Sequence, residues 1–120
     1  MNLVIKSFTD AGDTRKERLI LKAKANLDIG AYAVLYSGAA NDGNPTSGGK
    51  LAYWFPDAEI KAGDLVVLYT KSGERSTKPF KVGSGMVHFF YWGQDKAMWG
   101  DNGVGAVVLS VEEWQWKQSM

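Results

Sequence analysis

The sequence has no cysteine, one histidine and three prolines among its 120 residues. The lack of cysteine excludes disulfides, thiolate nucleophiles, iron–sulfur clusters and cysteine-ligated zinc sites. A run of about 18 apolar residues is also missing, and the N-terminal segment has too short an apolar stretch, with its charges on the wrong side, for a signal peptide. These absences predict a cytoplasmic protein that does not enter a membrane.

Charge of one sign is not in excess either, because 14 lysines and arginines oppose 13 aspartates and glutamates for a net charge of +1. The overall basic field that drives non-specific binding to nucleic acids or anionic membranes is therefore excluded, although a local patch is not. A chain of this length has room for one hydrophobic core. We therefore expect a single domain over residues 1–120.

Aromatic residues are abundant, with five tryptophans, five tyrosines and five phenylalanines. Most are interleaved with valine, leucine and glycine, which is typical of β-sheets. In residues 18–25, apolar and mainly basic side chains alternate with the period of two that a strand covered on one face produces. Such runs predict eight or nine short strands in an all-β sandwich or barrel. The predicted strands include residues 3–8, 18–25, 31–36, 51–55, 64–69, 86–92, a short strand near Phe80 and a penultimate strand at 106–111. A polar loop is predicted over residues 37–50.

Several segments along the chain follow one another in a recognisable order. YWFPDAEIKAGDLVVLYTKSG holds an aromatic strand, an Ala-Gly turn and a hydrophobic strand, and HFFYWGQDKAMWGDNGVGAVVL holds a tryptophan-rich strand and a glycine-rich link. Together with ERLILKA and DIGAYAVL, this order resembles the lamin-tail domain family over residues 17–109. The family's closing Asp-x-x-Gly hairpin is replaced by Ser-Val-Glu-Glu at residues 110–113. The resemblance implies an immunoglobulin-like β-sandwich of 8–9 strands and a module that contacts proteins and, in some members, nucleic acids.

Residues suited to catalysis are scarce. His88 lies inside the apolar run MVHFFYW, where a histidine at the sheet surface or hydrogen-bonded in the core is favoured over a general base. No serine lies in a Gly-x-Ser-x-Gly elbow. The carboxylates Asp57, Glu59 and Asp64 leave a metal-dependent hydrolase, or a calcium or magnesium site in the acidic loops, as an open alternative, but their spacing does not match a known ligand pattern. We expect no cofactor.

The aromatic residues cannot all lie in one core, because neighbouring strand residues point to opposite faces. Phe89 with Tyr91 should take one face of a sheet, and Phe90 with Trp92 the other. Several large rings should therefore be partly exposed and form an interaction surface, unless a third layer, the C-terminus or self-association covers them. The residues predicted to bind a partner are Trp92, Trp99, Trp114 and Trp116.

Two basic clusters are present, one over residues 15–24 and one formed by Lys71, Arg75, Lys78 and Lys81. A basic strand face binds phosphates or an acidic partner. It also protects an edge strand from aggregation. The residues predicted to bind a polyanion, in this alternative, are Arg15, Lys16, Arg18, Lys22 and Lys24.

The sequence thus favours a non-catalytic binding or adaptor module that recognises a protein partner, or a second copy of itself, through exposed aromatic residues and loops. Nucleic-acid or polyanion binding through the basic strand is the first alternative, and metal-dependent hydrolysis is the second.

Overall fold

The computed structural model describes residues 1–80 and 83–120, which form an all-β structure as predicted. Ten strands and one 3-10 turn, Ile29–Ala31, make up the regular structure of these residues, and they contain no α-helix. No helix within the described ranges has the length and apolar character needed to cross a membrane. The strands are β1 (Leu3–Thr9), β2 (Arg18–Ala23), β3 (Leu27–Asp28), β4 (Tyr32–Gly38), β5 (Leu51–Trp54), β6 (Glu59–Ile60), β7 (Leu65–Tyr69), β8 (Ser76–Pro79), β9 (Met86–Tyr91) and β10 (Val104–Ser110).

The strands form a five-stranded sheet in the order β1-β2-β7-β9-β8, a three-stranded sheet in the order β10-β4-β5, and the two-stranded pair β3-β6. Every pairing is antiparallel except that of β7 with β9, where Leu65 lies opposite Val87. Parallel neighbours need a long return connection. β8 lies between β7 and β9 in the sequence and forms the edge of the sheet next to β9.

One core lies between the five-stranded and the three-stranded sheet. The alternation of β2 buries Leu19, Leu21 and Ala23 completely. Val34 of β4 lies in the same cluster, and Phe55 contacts Phe90 edge to face at 5.1 Å between ring centroids. Each fully buried valine, leucine or phenylalanine side chain contributes about 1.5–3 kcal/mol of hydrophobic stabilisation. The two sheets therefore hold each other in place, and their opposite faces point outward.

The structure differs from the predicted strand pattern at three places. β3 and β6 are pairs of two residues, too short to leave a periodic signal. The predicted strand near Phe80 ends one residue earlier, at Pro79. Residues 111–120 form no strand, so β10 is the last strand of the described chain rather than the penultimate one. The predicted loop over residues 37–50 is confirmed from residue 39 onward, since β4 extends to Gly38 and only a single bridge joins Ala39 to Pro45.

Candidate binding surfaces

A groove lined by two tryptophans lies at one end of the three-stranded sheet. Trp54 ends β5, and its indole Nε1 donates a hydrogen bond of 2.7 Å to the carbonyl of Gly30. Trp114 meets Trp54 edge to face, with ring centroids 5.3 Å apart and planes at 84°. This tryptophan groove has a volume of about 370 Å³. It is lined by Asp28, Gly30, Ala31, Trp54, Phe55, Pro56, Asp57, Val111 and Trp114.

Two carboxylates line the same groove. Asp28 caps the 3-10 turn, and its Oδ1 accepts hydrogen bonds from the backbone N–H groups of Gly30 at 2.9 Å and Ala58 at 3.2 Å. Asp57 lies against Gly30 so closely that a Cβ added to this glycine would be 1.9 Å from Asp57 Oδ1. Within the described residues no lysine, arginine or histidine nitrogen comes within 4.0 Å of either carboxylate. The groove therefore combines exposed indole rings with uncompensated negative charge.

Next to the groove, the outward side of the three-stranded sheet carries no charged residue. Ala33 and Leu35 alternate with the core residue Val34 and so point outward, although Ala33 is only 6% exposed and Leu35 is partly buried. Leu109 and Trp54 flank Ala33 in the neighbouring strands, and Val107 and Ala52 flank Leu35. Leu109 is 40% exposed and Trp54 49%. The outward apolar residues are Ala33, Leu35, Ala52, Trp54, Val107 and Leu109, and we call them the apolar face.

The four tryptophans predicted to bind a partner occupy two different environments. Trp114 and Trp116 are 64% and 75% exposed. Trp92 is half-buried and packs against Tyr53 and Trp99. Trp99 is only 7% exposed, in contact with the rings of Phe8 and Tyr36. The expectation that Trp99 lies at the surface is therefore wrong, because rings from β1, β4 and the end of β9 enclose its indole.

Glu17 explains why the loop carrying Trp99 folds inward. Its carboxylate is fully buried and accepts hydrogen bonds from the backbone N–H groups of Met98 at 2.8 Å, Trp99 at 3.0 Å and Gly12 at 2.9 Å, and from the hydroxyl of Thr70. Burial by itself would raise the pKa of Glu17, but these donors together hold it below its ordinary value. The carboxylate is thus a structural anchor, and the sequence contained no signal for it beyond its place before β2.

The outward side of the five-stranded sheet carries aromatic rings and cations. Tyr69 of β7 stacks on Tyr91 of β9 at 5.3 Å with planes 9° apart, and it lies 6.4 Å from Phe89. This confirms that Phe89 and Tyr91 share the face opposite to the buried Phe90. The cations Arg18 and Lys71 lie 5.7 and 4.8 Å from the Tyr69 ring centroid.

Further cations extend this surface across the sheet. Lys78 Nζ lies 5.4 Å from the centroid of Phe89, and Lys22 lies opposite Leu65 on the same side as Arg18. Arg18 also pairs with Asp10 at 3.0 Å. We call the group formed by Arg18, Lys22, Lys71, Lys78, Tyr69, Phe89 and Tyr91 the basic face.

The other predicted basic residues lie elsewhere. Arg15 and Lys16 are exposed in the turn before β2, where both backbone N–H groups donate to Asp13. Lys24 is exposed just beyond the end of β2. Arg75 contacts Phe90 at 5.8 Å, on the core side of the sheet. Lys81 lies outside the described residues.

His88 is a hydrogen-bonded core histidine, one of the two arrangements favoured from the sequence. It is 9% exposed, and its Nε2 lies 2.8 Å from Oδ2 of Asp64. Asp64 also accepts hydrogen bonds from the backbone N–H groups of Met86 and Lys61. Burial would raise the pKa of Asp64, but the bond to His88 and these amides lower it below its usual range. Both groups therefore join β9 to the turn before β7.

The carboxylates considered for a metal-dependent hydrolase are not gathered in one place. Across residues 1–80 and 83–120, no three acidic or histidine side chains lie close enough together to hold a metal ion. Asp57 lines the tryptophan groove, Asp64 is bonded to His88, and Glu59 lies 3.9 Å from Lys61. No step of metal-dependent hydrolysis follows from this arrangement.

Two groups were not singled out from the sequence. Trp54 alternates with the buried Phe55, so its outward position could have been read from the strand, but its meeting with Trp114, Asp28 and Asp57 could not. Tyr69 belongs to the continuous apolar run LVVLY, in which Val66, Val67 and Leu68 are all buried although only Val66 and Leu68 belong to the core cluster. Such an unbroken apolar run does not show which side chains face outward. No protein-family model matches this chain, and no curated protein matches it significantly.

Proposed function

We propose that this protein is a non-catalytic binding module that recognises a protein partner through the tryptophan groove and the apolar face. The observation that carries the proposal is the meeting of Trp54 and Trp114, both about half exposed or more, beside an uncharged sheet face. Exposed aromatic residues next to an apolar patch are characteristic of protein interfaces. An adaptor or assembly subunit needs such a surface and no catalytic group.

The proposal includes an immunoglobulin-like sandwich similar to that of lamin-tail domains. Two sheets that share one core support it. The parallel pairing of β7 with β9 is a departure from a purely antiparallel sandwich. The resemblance supplies a scaffold, whereas the function rests on the surface residues.

The test compares Trp114→Ala and Leu109→Ser with Thr77→Ala, an exposed residue on β8 that lies away from the groove and the apolar face. Partners captured from the native source are identified by mass spectrometry, and the mass of the purified protein is measured by size-exclusion chromatography with light scattering. We expect the two surface variants to lose the captured partner while unfolding cooperatively like the wild type. Equal capture by all variants, with an unchanged mass, would exclude this surface as the interface.

The basic face supports a second candidate function, the binding of nucleic acid or another polyanion. Stacked rings hold Arg18 and Lys71 in place, and Lys78 lies over Phe89. Among the described residues, Arg18 is the only cation of this face with a carboxylate within 4.0 Å. Cations that are held in position and have few carboxylates nearby suit a polyanion, because their binding releases the counterions of the polyanion. Fluorescence anisotropy with labelled DNA, RNA and heparin at about 50 mM salt tests this function, and the absence of binding to all three would remove it.

A further inference from the structure

The tryptophan groove has the chemistry of a site for a positively charged side chain. We propose that it binds a lysine or arginine side chain on a basic segment of the partner protein. This inference rests on the proposed function, because it specifies the partner of the same groove. The ring geometry, the carboxylates and the apolar lining each support it.

The two indole rings form adjoining walls. Their planes meet at 84°, and Trp54 is held in position by its hydrogen bond to Gly30. A cation is attracted to the face of an indole within about 6 Å of its centre, and tryptophan is the most favourable ring for this interaction. The hydrogen bond of Trp54 and its contact with Trp114 bring the two rings together without a ligand.

The carboxylates provide the complementary charge. Asp28 uses Oδ1 for two backbone amides, and in the described part of the chain its Oδ2 has no hydrogen-bond partner. Asp57 makes neither a hydrogen bond nor an ion pair with any described residue. Glu112 and Glu113 precede Trp114 and are exposed. An anionic partner segment would be repelled from this groove, whereas a cationic one gains from every carboxylate.

The rest of the lining suits the aliphatic part of such a side chain. Phe55, Pro56 and Val111 line the groove together with the rings and the carboxylates. Lysine and arginine place their methylene groups along apolar surface while the charged end remains near polar groups. A glycine is required at position 30 because a Cβ there would collide with the side chain of Asp57. The apolar lining thus suits the methylene groups of a lysine or arginine, and the ring faces and the carboxylates suit its charged end.

The test uses N-acetyl-lysine amide, N-acetyl-arginine amide and the uncharged N-acetyl-norleucine amide, together with trilysine and triglutamate peptides. Binding is followed by NMR through the indole N–H signals of the tryptophans. We expect the signals of Trp54 and Trp114 to move with the cationic probes and with trilysine, more strongly at low salt, and to be unaffected by norleucine and triglutamate.

Two variants and two matched controls locate the site. Trp114→Ala and Asp57→Asn should each weaken trilysine binding about five- to tenfold. Trp116→Ala and Asp95→Asn remove an exposed tryptophan and an exposed aspartate outside the groove lining and should leave it unchanged. Trp114 follows the last strand, so its replacement leaves the folded core intact.

Three results with the probes and variants would overturn the inference, and a fourth concerns the protein concentration. The first three are equal signal changes with norleucine, equal weakening by the two controls, and no signal change with any cation. If Trp114→Ala loses the captured partner while no cationic probe binds, the proposed function stands and the assignment of a basic ligand fails. If trilysine binds at the groove but partner capture is independent of Trp114, the cation site stands and the proposed interface fails. Signals that move only with rising protein concentration would indicate a second copy as the occupant and would also overturn it.

Discussion

The carboxylate of Glu17 accepts the backbone N–H of Trp99 at 3.0 Å, across a separation of 82 residues. The bond ties the loop after β9 to the start of β2, and it turns an indole that looked available for binding into part of the interior. A buried carboxylate that satisfies several backbone donors is costly to replace, because each donor left unpaired loses its compensation for desolvation. The stability of this loop therefore depends on one side chain.

Glu17→Ala should destabilise the protein strongly. The backbone N–H groups of Gly12, Met98 and Trp99 lose their acceptor, and we expect a loss of about 3–5 kcal/mol in the free energy of unfolding, measured by urea denaturation. Glu113→Ala is the matched control, since Glu113 is exposed and should change stability by less than about 0.5 kcal/mol. A Glu17→Ala variant as stable as this control would show that the anchor contributes nothing.

Acid should destabilise the protein through Glu17 and Asp64. Both groups have a pKa lowered by folding, so the folded state binds fewer protons than the unfolded state as the pH falls through the ordinary carboxyl range. The stabilisation is complete above the unfolded pKa, which is about 3.9 for an aspartate such as Asp64 and about 4.3 for a glutamate such as Glu17. It is lost as the pH falls toward the lower pKa of the folded state. Thermal unfolding from pH 7 to pH 2 should show this fall. Asp64→Asn should flatten it, and an equally steep fall in that variant would contradict the assignment to Asp64.

Gly73 supports the ring stack of the basic face by having no side chain. A Cβ at this position would lie 2.5 Å from Cδ1 and Cε1 of Tyr91, whose ring stacks on Tyr69. Gly73→Ala should therefore lower the free energy of unfolding by about 1–3 kcal/mol. Gly103→Ala is the control, because a Cβ there meets nothing within 4 Å, and thermal melting should show it unchanged or slightly stabilised. Equal effects of the two changes would exclude the collision as the cause.

If the basic face binds a polyanion, its lysines should set the salt dependence of that binding. Lys71→Gln with Lys78→Gln should reduce the slope of log K against log salt by about 2 for a DNA duplex, roughly 0.9 for each phosphate that the protein no longer neutralises. Lys96→Gln with Lys117→Gln removes the same charge from exposed positions outside the basic face and should leave the slope unchanged. A slope that depends only on net charge would contradict a localised site.

Much of the fold was predictable because a strand places successive side chains on opposite faces. This rule correctly predicted β2 with its basic outward side, and it separated Phe89 and Tyr91 from Phe90. It gave no information about β3 and β6, which have two residues each, or about the parallel partner of β7. Strand pairing depends on which apolar faces meet, and the sequence of one strand does not specify which strand lies beside it.

The candidate sites, like the fold, were predictable from the sequence only in part. Composition and alternation determined an all-β chain with surplus aromatic residues and a basic strand. Only the tertiary structure decided that Trp99 is enclosed while Trp114 is exposed, and that Asp28, Trp54, Asp57 and Trp114 line one groove. The physical reason is that exposure and charge compensation are properties of the packed chain. They are set by contacts between residues far apart in sequence, such as the carboxylate of Glu17 and the amide of Trp99.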